Sequence, residues 1–245
     1  MSEPAAPLPE PVSGGRRSGR GALSGTASQR VERPAPLREA VHTALIELII
    51  NGTLQPGQHL VELELAQYLG VSRQPVREAL QRLQTEGWVD LRPAQGAFVH
   101  TPTEEEADQL LSVRSVLETY SARLAAEHAT EADMEHLQQL HDNGVQAMLA
   151  DDAEGMVAAN AALHTFITRM SRNEVLAEHV ALVDRRVRWY YRPIARPRGR
   201  DAWAEHAELI RAIGQHDADL ASMIMNRHTE RTRQAYHDQR AAESS

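Results

Sequence analysis

The sequence predicts a mainly α-helical chain in two parts, a winged helix-turn-helix followed by an antiparallel all-helical bundle. Three observations predict it. Glu62 to Gly87 reads as two short helices around a tight turn. Trp88–Arg92 and Ala97–His100 alternate like two paired strands. Everything after Thr101 carries helical periodicity, with no sign of a further sheet.

The elements follow in order. Residues 1–36 are rich in Pro, Gly, Ser, Ala and Arg and offer almost nothing to bury, so a disordered tail is expected. Its RRSGRG patch could touch phosphates, although a solvated tail is the simpler reading. Leu37 to Asn51 places Leu37, Val41, Leu45, Leu48 and Ile49 on one helix face, and Asn51-Gly52 ends it. Pro56-Gly57 is a turn, and His59-Leu60-Val61 a short extended piece. In the next helix Leu63, Leu65, Ala66 and Leu69 share a side, and Gly70 stops it because a left-handed backbone costs glycine little. Ser72 is the expected N-cap of the helix that follows, and Pro75 falls in its first turn, where a missing N–H is tolerated. Val76, Ala79, Leu80 and Leu83 form its apolar face; Arg73, Gln74, Arg77, Gln81 and Arg82 form the other.

A helix with Arg and Gln near its start, entered from a short helix and a turn, is how a helix-turn-helix reaches the major groove. Arginine fits both acceptors of guanine, and glutamine fits adenine. An ordinary helical hairpin with a solvated polar face would show the same residues. Between the two strands, Gly96 permits close backbone approach to a phosphate, as it also permits a plain hairpin turn.

Thr101-Pro102 is the expected joint. Thr103 with Glu106 forms a capping box, and the acids at 104–106 suit a helix N-terminus. Helices are expected over 104–128, 131–150, 152–171, 173–190, 201–215 and 217–238. Asn143-Gly144 is a potential break in the second. Pro193, Pro197 and Gly199 are expected to interrupt the chain between the fourth and fifth.

Composition bounds the function. The 245 residues suffice for about two domains. There is no cysteine, hence no disulfide or thiolate metal site. No apolar run is long enough to cross a bilayer, and no segment resembles a secretory signal, so a cytoplasmic location is expected. All 26 basic residues are arginine. The net charge of −8 is uneven: +2 over residues 1–36, −2 over 37–101 and −8 over 102–245. A DNA-binding part that is not basic overall must rely on a local arginine cluster, and its non-specific affinity should be modest and salt-sensitive.

Twelve histidines make chance groupings easy, but three are placed to meet. Asn160 and His164 lie four apart on one helix face. If the last two helices form a hairpin turning near His216, His206 and His228 stand within about 3 Å of the same height. With His164 they supply three neutral nitrogen ligands, enough for a divalent metal such as zinc with positions left open. The same spacing also fits unconnected surface or core histidines.

From Leu37 to Gln239 the chain resembles a GntR-family transcriptional regulator of the FadR/FCD type. On the DNA side the resemblance rests on the segment from LREAVHTALIELI through VSRQPVREAL to AQGAFV. In the C-terminal part it rests on VRSVLETYSARLAA, NAALH, WAEHAELIRAI and MNRHTERT. It implies a DNA-binding winged helix over 37–101 and an FCD bundle over 102–240 that binds an effector and forms most of a homodimer, with residues 1–36 left as the tail that composition predicts. Arg73 and Arg77 match the family's base-reading arginines, and Gly96 its wing-tip glycine. Ser72 and Gln74 are expected to help fix phosphate register. Leu63 stands where some members carry a further base-contacting arginine, so no third arginine contact is expected. His164, His206 and His228 match the family's metal-binding histidines. Asn160 replaces the usual acid as the fourth ligand, which leaves the site one charge more positive. Arg114, in VRSVLE, matches a cavity position that can meet a carboxylate, or forms an ordinary helix salt bridge.

The function expected is a homodimeric regulator, a repressor, that reads a palindromic operator and answers to a small carboxylate. Two alternatives remain at this stage. One is a metal-dependent hydrolase built on the three histidines, although no acid is placed by motif as a general base. The other is a DNA-binding protein whose bundle holds no ligand.

Overall fold

The computed structural model describes residues 35–243; most of the predicted tail, including RRSGRG, lies outside them. Helix α1, Ala35–Ile50, opens the winged part. It buries Val41, Leu45 and Ile49 as expected, but leaves Leu37 exposed. Strand β1 is His59–Leu60, α2 is Glu62–Leu69 and α3 is Arg73–Thr85; β2, Val89–Arg92, and β3, Gly96–Val99, complete the wing. The three strands form one antiparallel sheet in the order β1-β3-β2, with Arg92 opposite Gly96 at the tip.

Gly70 takes a left-handed backbone, φ 67°, and its N–H bonds back into α2. Ser72 holds the N-cap position of α3 with extended backbone, but its side chain makes no capping bond. Val76, Ala79, Leu80 and Leu83 are buried as their spacing requires. Leu63 departs from expectation. Only Leu65 and Ala66 of α2 are buried, and Leu63 is half exposed, facing the groove beside α3.

The bundle comprises α4 Glu104–His128, α5 Glu131–Leu149, α6 Ala153–Met170, α7 Glu174–Tyr191, α8 Ala195–Gly214 and α9 Ala218–Glu243. The Thr103–Glu106 capping box is present in full, and a second, Thr130–Asp133, opens α5. Of the breaks expected from the sequence, the one at Asn143-Gly144 does not occur, and the one after α7 is confined to Pro193, with Pro197 and Gly199 inside α8. Helix α5 runs through Gly144, because the Trp203 ring occupies the space a side chain there would need. Helix α8 begins six residues before the expected start, after a single 3-10 turn over Arg192–Ile194. Pro197 falls in its first turn, where the absent N–H has no helical acceptor to lose.

Two apolar clusters hold these parts. One fills the upper bundle around Leu163, Ile167, Leu209 and Ile213. The other starts in the winged helix with Leu45, Ile49 and Leu83 and continues without a gap into Trp189, Tyr190, Tyr191 and Ile194 of the bundle. Trp88 and Trp189 meet across this boundary with ring centroids 5.5 Å apart. Among the described residues, no helix is long and apolar enough to cross a membrane.

Candidate functional site

Two constellations carry chemistry. The first lies where α2, α3 and the wing enclose a groove of about 770 Å³, lined by Glu62, Leu63, Arg73, Arg77, Arg92 and Gly96. Arg73 and Arg77 project from the first turns of α3, with side chains 58% and 50% exposed. From the start of α2, Glu62 accepts from both. Arg77 donates from Nε and Nη2 at 2.8 Å each, and Arg73 from Nη2 at 2.9 Å. The two guanidinium groups hold the Glu62 carboxyl near pKa 2; hydrogen bonding from Arg77 is the largest cause. Gln74 leans along its own helix and donates to Glu78 at 2.7 Å. At the wing tip Gly96 has φ 98°, a backbone that calls for glycine, and a Cβ there would sit 2.9 Å from the end of the exposed His59 side chain. The tip is stiffened by Arg92, whose guanidinium lies 4.1 Å over the Phe98 ring.

The second constellation is buried in the bundle. His164 comes from α6, His206 from α8 and His228 from α9; all three are 2% exposed or less. The α8–α9 hairpin turns at His216, which takes φ 55°, so the register expected from the sequence is met. The Nε2 of His206 lies 3.1 Å from that of His164 and 3.3 Å from that of His228, and one nitrogen from each ring falls within 4.8 Å of the others. Burial, followed by the neighbouring histidines, pushes His206 well below its usual pKa. Burial likewise lowers His228 to about 4 against the opposing pull of Glu205. Neutral imidazoles with their nitrogens converging are what a divalent cation needs.

Carboxylates back two of the rings. Glu205 Oε2 accepts from His228 Nδ1 at 2.8 Å and from Arg198 at 2.6 Å, and its other oxygen accepts from Arg231 at 2.7 Å. Burial pushes Glu205 up, but these three donors outweigh it and hold the group near 2. Glu118 Oε2 stands 3.0 Å from both His164 Nδ1 and Arg114 Nε, although neither contact is aligned as a hydrogen bond. Arg114 and His164 outweigh burial and keep Glu118 ionised, also near 2. A carboxylate behind a ligating histidine fixes its tautomer and raises its basicity.

The site has polar capacity to spare. Asn160 is 4% exposed, and its Oδ1 has no hydrogen-bond partner. That is a costly state for a buried amide, and one that a cation would relieve. Arg114 is 2% exposed with Nη1 unpartnered, and it lines a tight cavity with Tyr191, whose hydroxyl is also unpartnered. The donor set therefore fits a divalent metal: three converging imidazoles, one of them held from behind by Glu205, with the unpartnered amide oxygen of Asn160 one turn before His164 on α6.

Of the residues singled out from the sequence, Arg73, Arg77 and Gly96 line the groove, Ser72 makes no capping bond and Gln74 turns to Glu78. His164, His206 and His228 converge, and Asn160 and Arg114 are buried. The contacts of Glu62, Glu118 and Glu205 were not foreseen. Glu118 follows Arg114 by four residues and Glu205 adjoins His206, so both sit inside quoted motifs. Nothing in the linear order ties Glu62 to α3.

Residues 37–99 match the family described as bacterial regulatory proteins, gntR family, and residues 109–231 match the FCD domain. The transcriptional regulator McbR of Escherichia coli is 33% identical over 129 residues, which cover 53% of this chain and 58% of that protein. The transcriptional repressor RspR of the same organism is 24% identical over 208 residues, 83% of this chain and 90% of the relative. The solved structure of E. coli McbR/YncC superposes with a TM-score of 0.73 at 26% identity, covering 84% of this chain and 99% of that one.

Proposed function

The chain belongs to the gntR family of bacterial regulatory proteins, with an FCD domain behind its helix-turn-helix, and from that premise we propose a homodimeric repressor whose grip on its operator is set by a small carboxylate bound beside a metal. The chain is a DNA-binding transcriptional regulator, and its relatives are regulators rather than enzymes. The hydrolase alternative is set aside on that ground.

In this reading residues 37–101 bind DNA, residues 102–240 sense and dimerise, and Thr101-Pro102 is the hinge. Two copies of α3 enter successive major grooves of a palindrome. Arg73 and Arg77 reach base edges; Ser72, Gln74 and Gly96 fix phosphate register. His164, His206 and His228 hold the metal, with Asn160 as a neutral fourth ligand. Four neutral ligands leave the cation's full charge in place, so when bound it attracts an anionic effector as a Lewis acid. Arg114, buried and underused, pairs with the effector's carboxylate. The effector lowers DNA affinity only by binding better to the arrangement that DNA does not select.

The observation that carries the sensing half is the convergence of three buried imidazole nitrogens. The test is metal content. Purified protein should carry close to one divalent ion per chain, and His206→Ala with His228→Ala should carry none. A double variant with undiminished metal would reject the site. Recovery of genomic DNA fragments by the wild-type protein would then give the operator, and the neighbouring genes would point to the acid it senses.

A further inference from the structure

The groove beside α3 contains an acid that a DNA-binding surface would ordinarily avoid. Glu62 sits at the first position of α2, where the helix dipole favours its charge. Its side chain is 26% exposed, and both oxygens face the arginines of α3. Three charge-assisted bonds of 2.8 to 2.9 Å join it to Arg73 and Arg77.

The pattern of those bonds matters more than their number. Arg77 spends its Nε–Nη2 edge on Glu62. Its opposite end, Nη1 with the outer N–H of Nη2, stays free and keeps the fork geometry that fits N7 and O6 of guanine. Arg73 spends only Nη2, so Nε and Nη1 remain available. Without the carboxylate, two guanidinium groups four residues apart on one helix would repel and spread over many rotamers. A mobile arginine meets phosphate oxygens as readily as base edges, and phosphate carries no sequence information. The carboxylate also lowers the local charge from +2 to +1, which weakens the sequence-independent attraction.

We propose that Glu62 is a positioning residue for base readout: it aims Arg73 and Arg77 at guanines and suppresses their attraction to phosphate, so that it sets specificity at the expense of raw affinity. The inference rests on the assignment of the two arginines as base readers. Glu62 is one of the seven acids that leave residues 37–101 at a net charge of −2.

The experiment is selection from a randomised duplex library by the full chain and three variants, Arg77→Ala, Glu62→Gln and Glu62→Asp. It is paired with affinities for the selected duplex and for an unrelated one across a salt series. Arg77→Ala should erase the preference at one base position in each half-site. Glu62→Gln should keep the same positions but lower the ratio of specific to non-specific affinity at least about tenfold. It should also bind the unrelated duplex more tightly, with a steeper salt slope. Glu62→Asp retains the charge but withdraws the carboxylate by one methylene, so it should keep the wild-type salt slope while blurring the motif. If Arg77→Ala leaves the motif intact, the base-reading assignment itself falls. If Arg77→Ala flattens the motif while Glu62→Gln and Glu62→Asp keep wild-type ratios, the positioning role alone is overturned.

Discussion

Arg188 of α7 clasps Glu47 of α1 with both ends of its guanidinium, at 3.0 and 2.9 Å, between residues 141 apart in sequence. The same stretch of α7 makes further contacts to the winged helix. Arg186 donates to the Glu86 carbonyl and lies 5.2 Å from the Trp88 ring, while Trp189 packs against Trp88. The inner side of α7 sends Val187, Tyr190 and Tyr191 to the cavity of Arg114. One helix thus lines the Arg114 cavity on one side and packs on the winged helix on the other. A displacement of α7 by a carboxylate seated on Arg114 would reach α1 without any other element.

If the bidentate pair is a local strap, Arg188→Ala should loosen the winged helix alone. Both side chains are partly exposed, so the loss should be small, about 1 kcal/mol or less. Amide exchange should quicken in α1 and α3 while the amides of α5, α6 and α9 keep their protection. Equal acceleration in all of them would show that the pair supports the whole fold instead.

The carboxylate behind His228 makes a separate expectation. Glu205→Gln keeps the size of the side chain but weakens its hold on the His228 ring and leaves Arg198 buried beside a neutral amide. Metal affinity, read by competition with a chromophoric chelator, should fall about 10- to 100-fold. Stability without metal should fall as well, because Arg198 would then be a buried cation without its ion partner. A variant with wild-type metal affinity would remove Glu205 from the site.

Much of this was legible in the linear order, and the particular cases show why. The bounds of α4 at Glu104 and His128 follow from signals its own residues carry: a capping box, an acidic first turn and helical periodicity. The histidine cluster was legible because antiparallel neighbours convert residue counts from a turn into height, and His216 marks the turn. The errors at Gly144 and Pro197 have the opposite origin. Gly and Pro were read as breakers, but Gly144 answers to a tryptophan on another helix, and Pro197 falls where a helix has an N–H to spare. Leu63 looked like a core residue because periodicity cannot say what the apolar side of a short helix faces. The acids Glu62, Glu118 and Glu205 gained their roles only from partners that other elements, or another turn of the same helix, bring to them.

Gly144 supports a prediction whose sign opposes helix propensity. Glycine within a helix costs about 1 kcal/mol against alanine, so Gly144→Ala would be stabilising on an isolated helix. Here the added methyl would collide with the Trp203 ring, itself 2% exposed and unable to swing clear. Overpacking of this kind costs about 1–3 kcal/mol, which meets or exceeds the propensity gain. The variant should unfold at a lower temperature than the wild type. Near-ultraviolet circular dichroism should report a disturbed tryptophan. A raised melting temperature would mean that α5 and α8 can part at no cost.

Acid titration isolates the Glu62 clamp. Its folded-state pKa lies near 2, well below the 4.5 of a free glutamate. A depressed carboxylate contributes stability above its unfolded pKa, and that contribution is lost as pH falls toward the folded value. The comparison is therefore between wild type and Glu62→Gln, which lacks the group. Their difference in melting temperature should be constant from about pH 7 to 5 and then shrink between pH 4.5 and 2 as the wild-type carboxyl takes up its proton. Because Arg73 and Arg77 are half exposed, solvent screening limits the difference to roughly 1 kcal/mol or less. It should shrink further in high salt. A gap that widens on acidification would mean that the carboxylate is a burden to the fold.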